Sequence, residues 1–284
     1  MPRTRIEDLD IAWDVAGPAD AAPVLLINGL GAVRQSWAFQ VAALAASYRV
    51  YTFDNRDVGE TGPGDDPRPY GVDRFARDAI GLIEALGLGP VHVIGASMGG
   101  CIAIELALLR PDLTRSAQIV CSWPRTDRWL AELFAQWAAI QTGMGPLMLD
   151  RVTGIWVFTE RWYEDPERLA ELAREAETYP YPQTAAMFAR QSNAAIAFDA
   201  LNRLAGLSCP VHVVAGAEDI LTPLRFSRQI ANAIAGARLT VLPEVGHGMF
   251  WETPEAFNAA LIDFLAGQKS RAAFARNGAH CGRV

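Results

Sequence analysis

The segment Gly95-Ala96-Ser97-Met98-Gly99 has the G-x-S-x-G pattern and nominates Ser97 as a nucleophile. Its context supports that reading. The apolar run Val91 to Ile94 reads as a buried strand, and Met98 to Arg110, rich in Ala, Ile and Leu, reads as a helix. Glycines at 95 and 99 permit a tight strand-to-helix corner, which lifts the serine hydroxyl clear of the sheet and aims backbone N–H groups at the same point.

A serine hydroxyl needs a base to take its proton, and histidine titrates in the right range. Of the four histidines, His92 and His212 fall inside strand runs and His280 in the terminal segment, which leaves His247 in Gly246-His247-Gly248. The third partner is a carboxylate that orients the imidazole. Asp219, after the strand Val211 to Ala215, is assigned, with Glu218 as its nearest rival. Some serine hydrolases carry the acid after the sixth strand, but there the chain reads Cys121-Ser122-Trp123. The order Ser97, Asp219, His247 is that of α/β-hydrolase triads. Two N–H groups must hold the oxyanion: that of Met98, next to the nucleophile, and that of Leu30 in Asn28-Gly29-Leu30-Gly31. This chemistry needs no metal and no organic cofactor.

These residues need a scaffold that presents strand ends side by side. Ile6 to Val15 reads as an edge strand, and Gly17-Pro18 breaks it before the strand Val24 to Ile27. Helix-like Ser36 to Ala46, strand Arg49 to Phe53, helical Asp73 to Leu86 and strand Val91 to Ile94 follow. Beyond the Ser97 helix come the strands Ala117 to Cys121, Val211 to Ala215 and Leu239 to Leu242. Strands alternating with helices predict an α/β fold, a mainly parallel, doubly wound sheet with its site at the carboxyl ends. Residues 124–204 break the rhythm with helical patterns alone, so a helical cap is expected after strand 6, with the core formed by 1–123 and 205–267. Twelve of the 26 Phe, Trp and Tyr residues fall between 123 and 198. Trp123, Trp129, Trp137 and Trp156 are therefore pocket candidates, together with Asn28, Ile220 and Phe250. Gly267 is expected to end the last helix, and 268–284 to be a disordered tail.

With 284 residues, half of them apolar, the chain can bury a full core, and its net charge of −7 opposes binding to nucleic acid or anionic lipid. Cys101, Cys121, Cys209 and Cys281 form no C-x-x-C pair and read as reduced thiols. No apolar leader or membrane-length stretch occurs, which points to a cytoplasmic protein acting on a small molecule, with the oligomeric state open.

From about Ile6 to Leu265 the chain resembles the α/β-hydrolase superfamily. Asn28-Gly29-Leu30-Gly31 matches the oxyanion loop, and Asp54-Asn55-Arg56-Asp57-Val58-Gly59-Glu60-Thr61 is similar to the D-x-R-G-x-G-x-S turn. Asp219 to Pro223 matches D-x-x-x-P, and Gly246-His247 with Glu252 and Pro254 matches G-H-x-x-x-x-E-x-P. Asn28 stands where His is usual, as in enol-lactonases of aromatic degradation and in hydrolases that cleave carbon–carbon bonds of ring-fission products. Asp57 replaces a glycine and Thr61 a serine in a turn read as structural. The carbon–carbon hydrolases place tryptophan directly after the catalytic histidine, where this chain has Gly248. The resemblance implies an α/β-hydrolase fold and a serine hydrolase for a carboxylic ester or lactone. The alternatives are a carbon–carbon bond hydrolase and a non-hydrolytic ligand-binding pseudohydrolase.

Overall fold

The structure, a computed structural model, describes residues 2–66 and 68–280, with the side chains of 269–280 outside the description. In chain order it comprises β1 (Arg3–Ile6), β2 (Leu9–Ala16), β3 (Pro23–Ile27), α1 (Ala38–Leu44), β4 (Arg49–Phe53), α2 (Val72–Ala85), β5 (Val91–Ala96), α3 (Met98–Leu109) and β6 (Thr114–Val120). Then follow α4 (Arg128–Met144), α5 (Pro146–Val157), α6 (Pro166–Thr178), α7 (Ala185–Ile196), β7 (Val211–Gly216), α8 (Leu224–Ala233), β8 (Arg238–Leu242), α9 (Met249–Glu252) and α10 (Pro254–His280). The strands form one eight-stranded sheet in the order β1-β2-β4-β3-β5-β6-β7-β8. β1 and β2 join it antiparallel, and every pair from β4 to β8 is parallel.

Successive side chains of a strand point to opposite faces, and in the central strands β3, β5 and β7 both faces are covered, which is why these read as largely apolar runs. In β3, Leu25 and Ile27 join one core with α2 and α3, while Val24 and Leu26 join the other with α1, α9 and α10. α3 lies under the sheet and is buried from Met98 to Ala107, so its apolar character runs all round. From β3 the chain turns first to β4 on one side and later to β5 on the other. The carboxyl ends of β3 and β5 therefore flank the switch point, where open α/β sheets bind ligands.

Helices α4 to α7 lie between β6 and β7, in the segment where the sequence predicts a cap. Two expectations are corrected. The run Ile6 to Val15 is not one strand but a hairpin, β1 and β2, turned at Glu7 with φ 49°. Alternation continues across so short a turn and hides it. The last helix does not stop at Gly267; α10 continues to His280. A glycine inside a helix costs about 1 kcal/mol, and most of the residues that follow Gly267, with Gln, Lys, Arg and Ala among them, are good helix formers. Residues 281–284, with Cys281, lie outside the described residues.

Candidate active site

Ser97 follows β5 directly with φ 58° and ψ −124°, a left-handed conformation rare for a residue with a side chain. The corner is locked by close backbone approaches. A Cβ on Gly95 would lie 2.0 Å from the carbonyl oxygen of Gly99, and one on Gly99 would lie 2.2 Å from that of Ile27. The Ser97 N–H donates to the Val120 carbonyl at 2.9 Å, tying the corner to β6.

Asp219 and His247 meet at the ends of β7 and β8. The imidazole Nδ1 lies 2.9 Å from Asp219 Oδ2, and both side chains are buried. Asp219 Oδ1 accepts the backbone N–H groups of Leu221 at 2.9 Å and Thr222 at 2.8 Å, and Oδ2 accepts the Thr222 hydroxyl at 2.7 Å. Glu218 instead pairs with Arg161 at the surface, 2.8 Å away. Cys121 completes the group: its sulfur, one Asp219 oxygen and one His247 nitrogen all lie within 4.8 Å of one another. Cys121 is fully buried, with φ 38°, directly beyond β6. Burial opposes the imidazolium, but Cys121 and Asp219 beside it hold the His247 pKa well above its ordinary 6.5.

The loop after β3 lies against Ser97. A Cβ on Gly29 would be 2.9 Å from Ser97 Cβ and 3.4 Å from its Oγ, so the loop backbone comes close enough to share a bound atom with the hydroxyl. Gly31 N–H donates to Gln191 Oε1 at 3.0 Å, and Gln191 Nε2 donates to the Arg56 carbonyl at 2.6 Å, so α7 braces this loop. No acceptor among the described residues takes the Leu30 N–H. Met98 opens α3, where a helix has no acceptor for its first N–H groups. Asn28 is buried; its carbonyl accepts Asn55 Nδ2 at 3.0 Å, while its own Nδ2 has no protein partner.

The turn 54–61 supports this loop. Asp54 accepts the N–H groups of Arg34 at 2.8 Å and Glu60 at 2.9 Å, and the buried Arg34 guanidinium bonds Asp14, Asp54 and Glu60. Asp57, at φ 66°, holds the conformation that glycine usually supplies. Its carboxylate accepts Arg190 of α7 and the Tyr70 hydroxyl, and its carbonyl accepts Gln183 Nε2 at 2.7 Å. On the other side, Gly248 N–H donates to the Val157 carbonyl at 2.7 Å, and Glu252 accepts the Thr159 N–H. The helical segment is thus pinned to the loops carrying both Leu30 and His247.

The pocket candidates divide. Trp123 is fully buried; its Nε1 donates to Thr126 at 2.7 Å and its ring packs on Phe134. Trp137 is buried beyond Phe134, with no partner for Nε1. Trp156 is partly buried edge-on to Trp129, which is 42% exposed beneath Arg225. Ile220 is 53% exposed. Phe250 packs with Trp37 and Phe257 in the core on the α10 face. His92 and His212 are buried strand residues, paired with Ser116 and with Gln118 and Thr240 respectively, and the His280 side chain lies outside the described residues. Sequence reasoning missed Cys121, Thr222 and Gln191. For Cys121 a signal existed, because it follows a strand whose neighbours carry Ser97 and Asp219.

A doubly wound sheet with a serine corner at its switch point defines the class: an α/β-hydrolase fold. Residues 24–260 match the model of the Alpha/beta hydrolase family, and the chain belongs to that family and is a hydrolase. It is 31% identical to a protein of Azorhizobium caulinodans named "Putative carbamate hydrolase RutD", over 93% of this chain and 98% of that one. The crystal structure of the enol-lactonase from Burkholderia xenovorans superposes with a TM-score of 0.84 at 26% identity, covering 93% of this chain and 100% of the other. That of Rv0554 from Mycobacterium tuberculosis gives 0.80 at 30% identity, with 91% and 94% covered. No helix among the described residues is long and apolar enough to cross a membrane.

Proposed function

We propose that the chain is a serine hydrolase that cleaves a carboxylic ester or lactone of an apolar or aromatic small molecule through an acyl-enzyme. The observation that carries this reading is the 2.9 Å His247–Asp219 pair, buried at the same sheet edge as the left-handed Ser97 corner. His247 takes the Ser97 proton as Oγ attacks the carbonyl, and the N–H groups of Leu30 and Met98 hold the oxyanion. The imidazolium then protonates the leaving alcohol, and water reverses the steps with His247 again as base. Asp219 keeps the proton on Nδ1, so that Nε2 is free to accept.

A lactone and a carbamate present the same attackable carbonyl, and similar proteins carry the names enol-lactonase and carbamate hydrolase. The carbon–carbon alternative is disfavoured by packing. A Cβ on Gly248 would already lie 2.9 Å from the Phe158 ring and 3.1 Å from Val157, so the space of a following tryptophan is filled.

The test is a panel of p-nitrophenyl esters, aromatic esters, lactones, a carbamate and a ring-fission diketone, run on wild type and Ser97→Ala, with fluorophosphonate labelling read by intact mass. Ester or lactone turnover and a single label, both lost in the variant, are expected. Turnover that survives Ser97→Ala overturns the nucleophile, and turnover confined to the diketone overturns the substrate class.

A further inference from the structure

Three metal-ligating side chains of different chemistry converge at the ends of β6, β7 and β8. The Cys121 sulfur, an Asp219 oxygen and a His247 nitrogen lie within 4.8 Å of one another, all buried. In a tetrahedral zinc site, with Zn–S near 2.3 Å and Zn–N or Zn–O near 2.0–2.1 Å, adjacent donors sit about 3.3–3.6 Å apart. Asp219 Oδ2 and His247 Nδ1, at 2.9 Å, would open by a few tenths of an ångström, and the thiol, within 4.8 Å of a ligand atom of each, lies in reach of the same ion. Thiolate, imidazole and carboxylate together suit a borderline-soft ion rather than magnesium or calcium. The serine hydrolase proposed above has no use for this thiol.

We infer that Cys121, Asp219 and His247 form an inhibitory site for a divalent cation of the zinc class, a reading that rests on the proposed role of His247 as base. Binding at Nδ1 displaces the proton that Asp219 holds there. That proton moves to Nε2, the thiol proton leaves to solvent, and the bonds formed are those from the metal to sulfur, nitrogen and oxygen. The neutral imidazole then carries its only proton on Nε2 and has no lone pair to accept that of Ser97. The cation therefore switches the hydrolase off without touching the nucleophile, by fixing the wrong tautomer.

The experiment uses the full chain, with Cys121→Ser and Cys121→Ala as parallel variants in case one fails to fold. Cobalt(II) is titrated without substrate and read by its thiolate charge-transfer absorption. Zinc(II), buffered by a chelator, is titrated in the ester assay. One cobalt ion per chain with a thiolate band is expected in wild type, with no band in either variant. Zinc inhibition should reverse with excess chelator and weaken at least about tenfold in the variants, since even outer-shell losses cost 10- to 100-fold in metal affinity. Equal zinc inhibition in wild type and variants, or no thiolate band in wild type, overturns the site. A wild-type band without loss of turnover keeps the site and overturns instead the role of His247 on which the switch rests.

Discussion

Replacing Asp219 with asparagine removes one charge and almost no volume, and the surroundings dictate how the amide must sit. Oδ1 receives two backbone N–H groups, from Leu221 and Thr222, so the amide oxygen has to stay there. The opposite orientation would set NH₂ against both donors and leave each unsatisfied, at about 1–3 kcal/mol apiece. The NH₂ therefore takes the place of Oδ2, 2.9 Å from His247 Nδ1 and 2.7 Å from the Thr222 hydroxyl, which can turn to accept. Facing a donor, Nδ1 must present its lone pair, and the imidazole proton moves to Nε2. The base is then present but occupied. For a misoriented tautomer in a serine triad kcat falls about 10⁴-fold, or about 5.4 kcal/mol at 1.36 kcal/mol per decade. Steady-state kinetics on the best ester of the panel should show that loss in kcat with KM little changed, while the thermal midpoint moves only slightly. Glu218→Gln, which loses only a surface pair to Arg161, should stay within about threefold of wild type. A loss below tenfold in Asp219→Asn, or a large one in Glu218→Gln, would refute the assignment of the acid.

The raised pKa of His247 places the rising limb of kcat/KM above pH 6.5, and a pH–rate profile with its limb below that value would contradict the Asp219 and Cys121 environment. Burial, with Arg238 nearby and Asp263 opposing, pushes the His212 imidazole down to about 4, so the native chain stays neutral there while the unfolded chain protonates below 6.5. Stability is therefore full above 6.5 and is lost as pH falls towards 4, by about 3 kcal/mol at 1.36 kcal/mol per unit, and urea titrations across that window should flatten in His212→Gln. Gly95→Ala drives a methyl to 2.0 Å from a rigid carbonyl oxygen and should cost more than about 3 kcal/mol or abolish folding. Gly143→Ala, in α4 with nothing within 4 Å, should gain up to about 1 kcal/mol by the same denaturation assay.

The parts of this molecule that were legible in its sequence are those set locally. Strands buried on both faces must be continuous apolar runs, and the corner after β5 tolerates only glycine where Gly95 and Gly99 sit, so the Ser97 corner follows from a dozen consecutive residues. Asp219 is legible because it closely follows such a run, and His247 because the other three histidines fall in strand runs or in the terminal segment; the parallel sheet brings both to one edge. The β1–β2 turn was not, because Glu7 takes up a left-handed backbone that no glycine advertises. Phe250 lies three residues from His247 yet packs towards α10, because α9 begins at Met249 and turns the chain away.

What stayed hidden is the set of contacts made across the fold. Arg190 reaches Asp57 across 133 residues, and Gln191 reaches Gly31 across 160. Nothing in either sequence neighbourhood announces its partner, since an arginine or glutamine on a helix reads as a solvated side chain. Yet adjacent residues of one helix hold the turn after β4 and the loop after β3 together, and Glu252, six residues past Gly246, receives the same helical segment at Thr159, between α5 and α6. Any movement of α7 must therefore carry the Leu30 N–H with it. In the proposed mechanism, substrate fit against the helical segment and oxyanion geometry at Ser97 are one mechanical variable rather than two.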